Sequence, residues 1–97
     1  MTKAYWVVMY HSISNPDAWA EYAKIAVPAV TEAGGRYLAR GTAAIAYENG
    51  LSERVVIVEF DSLDKAIAVH DGAAYQAALK ALGNAVERDL QIVEGVA

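Results

Sequence analysis

Only a few side chains in this sequence are both chemically capable and set among apolar neighbours. Arg40 and Glu59 stand out, each inside a greasy run: Tyr37-Leu38-Ala39-Arg40 in one and Val55-Val56-Ile57-Val58-Glu59-Phe60 in the other. An ion pair on an apolar surface is costly to desolvate unless something satisfies or uses it. Opposed across two strands, these residues would either anchor a carboxylate ligand or simply fix register. His70 precedes Asp71-Gly72 and is close in sequence to Tyr75. Imidazole titrates near neutral pH, which suits a general base or a hydrogen-bonding group at a cavity mouth. The plainer reading is a cation answering the dipole at a helix end, and for His11, at the end of the first strand, a plain structural reading is likewise preferred to a ligand role. Trp19 and Tyr22, with Trp6 and the tyrosines near the N-terminus, could line a pocket for an aromatic or polyketide-like molecule, although aromatics at this spacing also serve as core. The candidate ligand-binding residues are therefore Tyr22, Arg40, Glu59, His70 and Tyr75, and no catalytic residue is assigned.

Other chemistries lack their residues. The sequence has no cysteine, which removes thiol catalysis, disulfides and cysteine-ligated metal. Its two histidines have no carboxylate or second histidine at an established ligand spacing, so no metal site is expected. Gly34-Gly35 and Gly41 lack the spacing and the lysine of a phosphate-binding loop, and no cofactor is expected. A net charge of −4 with scattered Lys and Arg argues against nucleic acid as a partner, and no basic amphipathic stretch argues for a membrane surface. Met1-Thr2-Lys3-Ala4 leads directly into alternating apolar residues with no signal-like segment, so a cytoplasmic location is expected.

The elements that must hold these residues follow from local pattern. Ala4 to His11, rich in aromatic and β-branched types, reads as a strand. Asn15-Pro16-Asp17 is a helix start: a capping side chain, a proline whose missing N–H is not needed, and a carboxylate at the positive dipole end. Trp19, Tyr22, Ala23, Ala26, Val30 and Ala33 then form one apolar stripe ending at Gly34-Gly35. Pro28 inside that stripe predicts a kink near Lys24 or a helix broken in two. Strands are expected over 36–47 and 53–60, joined by Asn49-Gly50 as a type I′ turn that would pair Glu48 with Leu51 and set Arg40 opposite Glu59 unless a bulge intervenes. Ser62 caps a second helix with Leu63, Ala66, Ile67 and His70 on one face. A bend at Asp71-Gly72 precedes a stretch carrying Tyr75, Ala78, Leu79 and Leu82, and a last strand is expected over 89–94.

Ninety-seven residues leave room for one domain, 1–97. Strand, helix, strand, strand, helix, strand folds by right-handed crossovers into a ferredoxin-like βαββαβ α+β architecture, a four-stranded antiparallel sheet with helices on one face. Both faces of its central strands read as apolar. Tyr37, Ala39, Ala43, Ile45, Val56, Val58 and Phe60 would lie on one, and Leu38, Ala44, Val55 and Ile57 on the other. Since a solvated face should alternate with polar residues, the second is expected to be covered by another copy, giving a homodimer packed sheet to sheet.

Several spaced segments resemble a known family: Gly34-Gly35-Arg36-Tyr37-Leu38-Ala39-Arg40-Gly41, Arg54-Val55-Val56-Ile57-Val58-Glu59-Phe60, Ala66, Tyr75-Gln76 and Val93-Glu94-Gly95. The chain is identified by them as a member of the domain of unknown function 1330 family, in the dimeric α/β-barrel superfamily. The resemblance implies a ferredoxin-like fold and a sheet-to-sheet dimer, and no particular reaction. The chain departs from the family in carrying Arg40-Gly41-Thr42 where members often continue Arg-Gly-Gly, and in lacking an arginine near Leu82-Gly83. Two functions are expected from all this: a small-molecule-binding protein or cofactor-independent enzyme with a pocket in each subunit, or a non-catalytic dimeric module whose charged pairs only hold register.

Overall fold

A computed structural model describes residues 2–51 and 53–96. Along the chain run β1 (Ala4–Ile13), α1 (Pro16–Glu32), β2 (Arg36–Thr42), β3 (Arg54–Phe60), α2 (Leu63–Asp71), α3 (Ala73–Leu82) and β4 (Val86–Glu94). The strands form one antiparallel sheet in the order β2-β3-β1-β4. Strand periodicity sends alternate residues of β1 to opposite faces. Ala4, Trp6, Val8 and Tyr10 are buried under the helices with Val56, Val58 and Phe60 of β3, while Tyr5, Val7 and Met9 point to the uncovered face. This is the ferredoxin-like α+β fold expected from the element order.

The helices begin where their caps are. The Asn15 side chain accepts from the Ala18 N–H and Pro16 takes the first position of α1, while Ser62 accepts from the Lys65 N–H to start α2. Tyr22, Ala26 and Val30 are the buried residues of α1, in the stripe read from the sequence. Pro28 does not divide the helix, which runs unbroken from Pro16 to Glu32 with Pro28 on its exposed side. There the loss of one N–H leaves a carbonyl that water can satisfy. In α2 the buried residues are Ala66 and Val69, and Ile67 is exposed. Gly72, in extended backbone, ends α2 and opens α3, whose buried residues are Tyr75, Ala78 and Leu82.

The β2–β3 connection differs from expectation. Asn49-Gly50 does not make a two-residue hairpin, and neither residue has positive φ. Instead Glu48 does, at 56°, in a turn closed by the Gly50 N–H donating to the Tyr47 carbonyl at 2.9 Å. Strand β2 therefore stops at Thr42, and Ala43, Ala44 and Ile45 belong to the connection rather than to a sheet face. The ladder pairs Arg36 with Glu59 and Tyr37 with Val58, then slips at a bulge to pair Ala39 with Ile57 and Arg40 with Val56. An odd change of register exchanges the faces. Arg40 thus points to the helix side with Tyr37, and Ala39 joins Ile57 on the uncovered side. Strand β4 begins at Val86, earlier than predicted, because the Ala85 carbonyl is held by the N–H groups of Ser14 and Asn15 at 2.7 and 3.2 Å. This clamp brings Arg88 into the sheet opposite Tyr10. No helix among the described residues is long and apolar enough to cross a membrane.

Candidate functional site

Between α1 and the helix-facing side of the sheet lies a cavity of about 330 Å³. Its walls are Trp6, Val8, Val56 and Val58 from the sheet and Trp19, Tyr22 and Ala26 from α1, and its polar groups come from Tyr10, Tyr37, Arg40, Arg54, Arg88 and Lys24. Every arginine except Arg36 is at this cavity, and among the described residues no carboxylate lines it. In the described residues, the ion pairs of Lys and Arg with carboxylates involve Lys3, Lys24 and Arg36, so Arg40, Arg54 and Arg88 stand without one. Arg40 instead lies 5.3 Å from the centre of the Tyr37 ring, and Arg54 is 5.1 Å from that of Trp19. Both contacts are within the range of cation–π attraction.

Arg88 organises the inner end. Its Nη1 donates to the hydroxyls of Tyr10 and Tyr22 at 3.0 and 3.1 Å, and its Nη2 donates to that of Tyr75 at 3.1 Å. The Tyr22 and Tyr75 oxygens are 2.7 Å apart, and Trp19 Nε1 donates to Tyr10 at 3.2 Å. Burial, reinforced by Tyr75, pushes the Tyr22 phenol well above its ordinary range, so it stays protonated at neutral pH. Burial and the neighbouring Tyr22 likewise raise the Tyr37 phenol to about 12. Burial works against the charge on Arg88, but the oxygens of Tyr22, Tyr75 and Tyr10 outweigh it and hold the guanidinium above the usual arginine value. The outcome is a half-buried cation set in phenols, beside an aromatic chamber.

The sequence-derived residues divide between two places. Tyr22 and Arg40 line the cavity, and Tyr75 meets it through its hydrogen bond to Tyr22. Glu59 lies on the uncovered face of the sheet, where it accepts from Arg36 Nε at 3.0 Å and from the Tyr5 hydroxyl at 3.0 Å. The expected Arg40–Glu59 pair is therefore replaced by Arg36–Glu59, a consequence of the shifted register. His70 sits outside the cavity, its Nδ1 3.0 Å from Asp71 Oδ1 and its ring 5.9 Å from Trp6 and 5.4 Å from Tyr75. His11 is within 3.0 Å of Asp89 at the surface. Of the N-terminal aromatics, Trp6 and Tyr10 line the cavity and Tyr5 faces away. Arg88 and Arg54 were not singled out from the sequence. The available signal for Arg88 was the alternation Val86, Arg88, Leu90, Ile92, which places an arginine in the inward register once the strand is started at Val86.

Fold and site together define a ferredoxin-like α+β protein with a cation-lined aromatic cavity under its first helix. The chain belongs to the family described as domain of unknown function DUF1330, whose model matches residues 3–96. Its fold is shared with a protein of unknown function from Rhodopseudomonas palustris (18% identity, TM-score 0.73, covering 99% of this chain and 84% of that one). It is shared also with a dimeric ferredoxin-like protein of unknown function from Thermobifida fusca (18%, 0.63, 99% and 92%). A third is SnoaB, a cofactor-independent oxygenase from Streptomyces nogalater (9%, 0.62, 100% and 96%). No curated protein matches the chain.

Proposed function

We propose that this protein is a homodimeric small-molecule-binding protein with one pocket per subunit, the cavity between α1 and the sheet. The observation that carries the reading is the composition of that cavity: about 330 Å³ walled by Trp6, Trp19, Tyr22 and valines, with a few convergent polar groups. Concave, mostly apolar sites with a small number of placed polar groups are the usual form of a ligand pocket. Three arginines facing a space with no carboxylate are hard to explain as packing alone. Binding is favoured over catalysis because the described lining holds neither imidazole nor carboxylate, and its phenols Tyr22 and Tyr37 are pushed by burial away from giving up a proton. Fold likeness to a cofactor-independent oxygenase does not carry a reaction across.

The dimer in this proposal is formed by the uncovered face of the sheet. Met9 and Val93 there are about half exposed, at 46% and 50%, beside Val7, Val55 and Ile57. The Thermobifida fusca neighbour of the same fold is described as dimeric. The test is a thermal-shift screen of small aromatic and carboxylate compounds, followed by Trp fluorescence titration of any that raise the melting temperature. Saturable quenching that shrinks in Trp19→Phe, with Trp6 left as the second reporter on the cavity wall, supports the pocket. A screen in which no compound stabilises the protein, while Arg40→Met lowers its melting temperature as loss of a structural contact would, removes the ligand.

A further inference from the structure

Counting protons at the inner end of the cavity identifies the kind of ligand. The Tyr10 oxygen already accepts two N–H groups, from Trp19 and Arg88, and its own O–H has no acceptor among the described residues. Tyr22 and Tyr75 share a single bond, so one of their two protons is spent and one is left over. Tyr75 is 1% exposed, and among the described residues Tyr22 is the only acceptor its hydroxyl has. Burying a hydroxyl proton without an acceptor is costly. Tyr75 therefore donates to Tyr22, the Tyr22 oxygen takes that proton together with an Arg88 N–H, and the Tyr22 O–H is left for the cavity. Tyr10 and Tyr22 thus each offer an O–H polarised by the same guanidinium. Beyond them stand Arg40, Arg54 and Lys24, which donate only, and among the described residues the lining supplies no side-chain carboxylate, amide or imidazole as a fixed acceptor.

From this we infer that the ligand class is a planar aromatic anion, a carboxylate or enolate oxyanion on a ring system. Its oxygens accept from the Tyr10 and Tyr22 hydroxyls, with Arg88 behind them as countercharge, and its rings lie against Trp6, Trp19 and Tyr37. The inference rests on the reading of the cavity as a ligand site and adds the charge and the hydrogen-bonding sense of what it holds. Because the chain as a whole is at −4, general electrostatics would repel such a ligand, and attraction must come from this local group of cations.

Matched probes separate the two claims. The full chain is titrated, by Trp fluorescence and calorimetry, with benzoate and benzamide and with 2-naphthoate and 2-naphthamide, pairs alike in shape but differing in charge and in acceptor strength. The carboxylate of at least one pair is expected to bind at least tenfold more tightly than its amide. Tyr10→Phe and Tyr22→Phe should each reduce that preference several-fold. Arg36→Met, which removes a positive charge from the opposite face of the sheet, should leave it intact. Circular dichroism melts establish that each variant is folded, and Tyr10→Phe, which spares the Tyr22–Tyr75 bond, carries the test should Tyr22→Phe unfold. Equal binding of acid and amide overturns the anion while leaving a neutral-ligand pocket standing, and a preference untouched by the tyrosine changes overturns the hydroxyl contacts from which the anion was inferred. Failure of all four probes to bind overturns both.

Discussion

At the scale of single residues, what distinguishes Arg36 from Arg88 is the company each keeps. Arg36, on the uncovered face, is held by Glu59 and Asp61, both at 3.0 Å, as an ordinary charge pair is. Arg88 is held by neutral phenols and keeps its charge available. The difference has a pH consequence for Arg36. Its hydrogen bonds, helped at Glu59 by Tyr5 and at Asp61 by Coulombic attraction, hold both carboxyl groups below their ordinary values of 4.5 and 3.8. A depressed folded-state pKa gives stability that is fully present above the ordinary value and is lost as pH falls through the folded one. Arg36→Met should therefore lower the melting temperature at pH 7 and pH 5, and the gap to the parent protein should close towards pH 3. A gap independent of pH would show that Arg36 acts through packing instead. These residues also mark how far the sequence could be read. Arg40 was legible as an odd charge in an apolar run and does reach the cavity. Glu59 was equally legible, yet faces away, because residue type reveals a misfit but not which side of a sheet it falls on.

Elements show the same division between local and distant causes. The caps at Asn15 and Ser62, the α1 stripe and the break at Gly72 depend on neighbours within a few positions, and the sequence displays them. The β2–β3 connection does not follow its local signal: Asn49-Gly50 favours a tight turn, but the strands part at Thr42 and Arg54 and the register is set by the bulge after Tyr37. Pro28 misled for a related reason, since its cost depends on whether the freed carbonyl faces water, and here the proline is on the exposed side. The Gly34-Gly35 stop was legible, though its two glycines do different things. Gly34, at φ +103°, turns the chain, while Gly35 lets α1 close on the sheet: a Cβ there would lie 2.5 Å from Val30 Cγ1 and 3.0 Å from the Phe60 ring. Gly35→Ala should accordingly cost about 1–3 kcal/mol by overpacking. Gly41→Ala, with nothing within 4 Å of its Cβ, should stay within about 0.5 kcal/mol. Urea unfolding of both variants checks this, and equal costs would mean that the α1–sheet contact yields without strain.

For the whole molecule, the sheet separates two surfaces with separate roles, and this makes the proposed assembly testable apart from the proposed pocket. One side carries the cavity and the helices; the other carries the row Gln91, Val7, Ile57 and Ala39, flanked by Met9 and Val93. Packing that row against a second copy would remove side chains from water at roughly 1.5–3 kcal/mol for each large one fully buried. A charge at its centre would reverse the sign. Ile57→Lys is expected to convert a species of twice the chain mass, seen by light scattering at micromolar concentration, into one of a single chain mass. The far-ultraviolet dichroism should be retained, because Ile57 does not contribute to the core beneath the helices. The cavity lies across the sheet from that row, and none of its lining residues is on the uncovered face. The single-chain variant should therefore bind its aromatic ligand with nearly the parent affinity. Loss of binding on dissociation would instead mean that the pocket needs the second copy, and that the two faces are not independent.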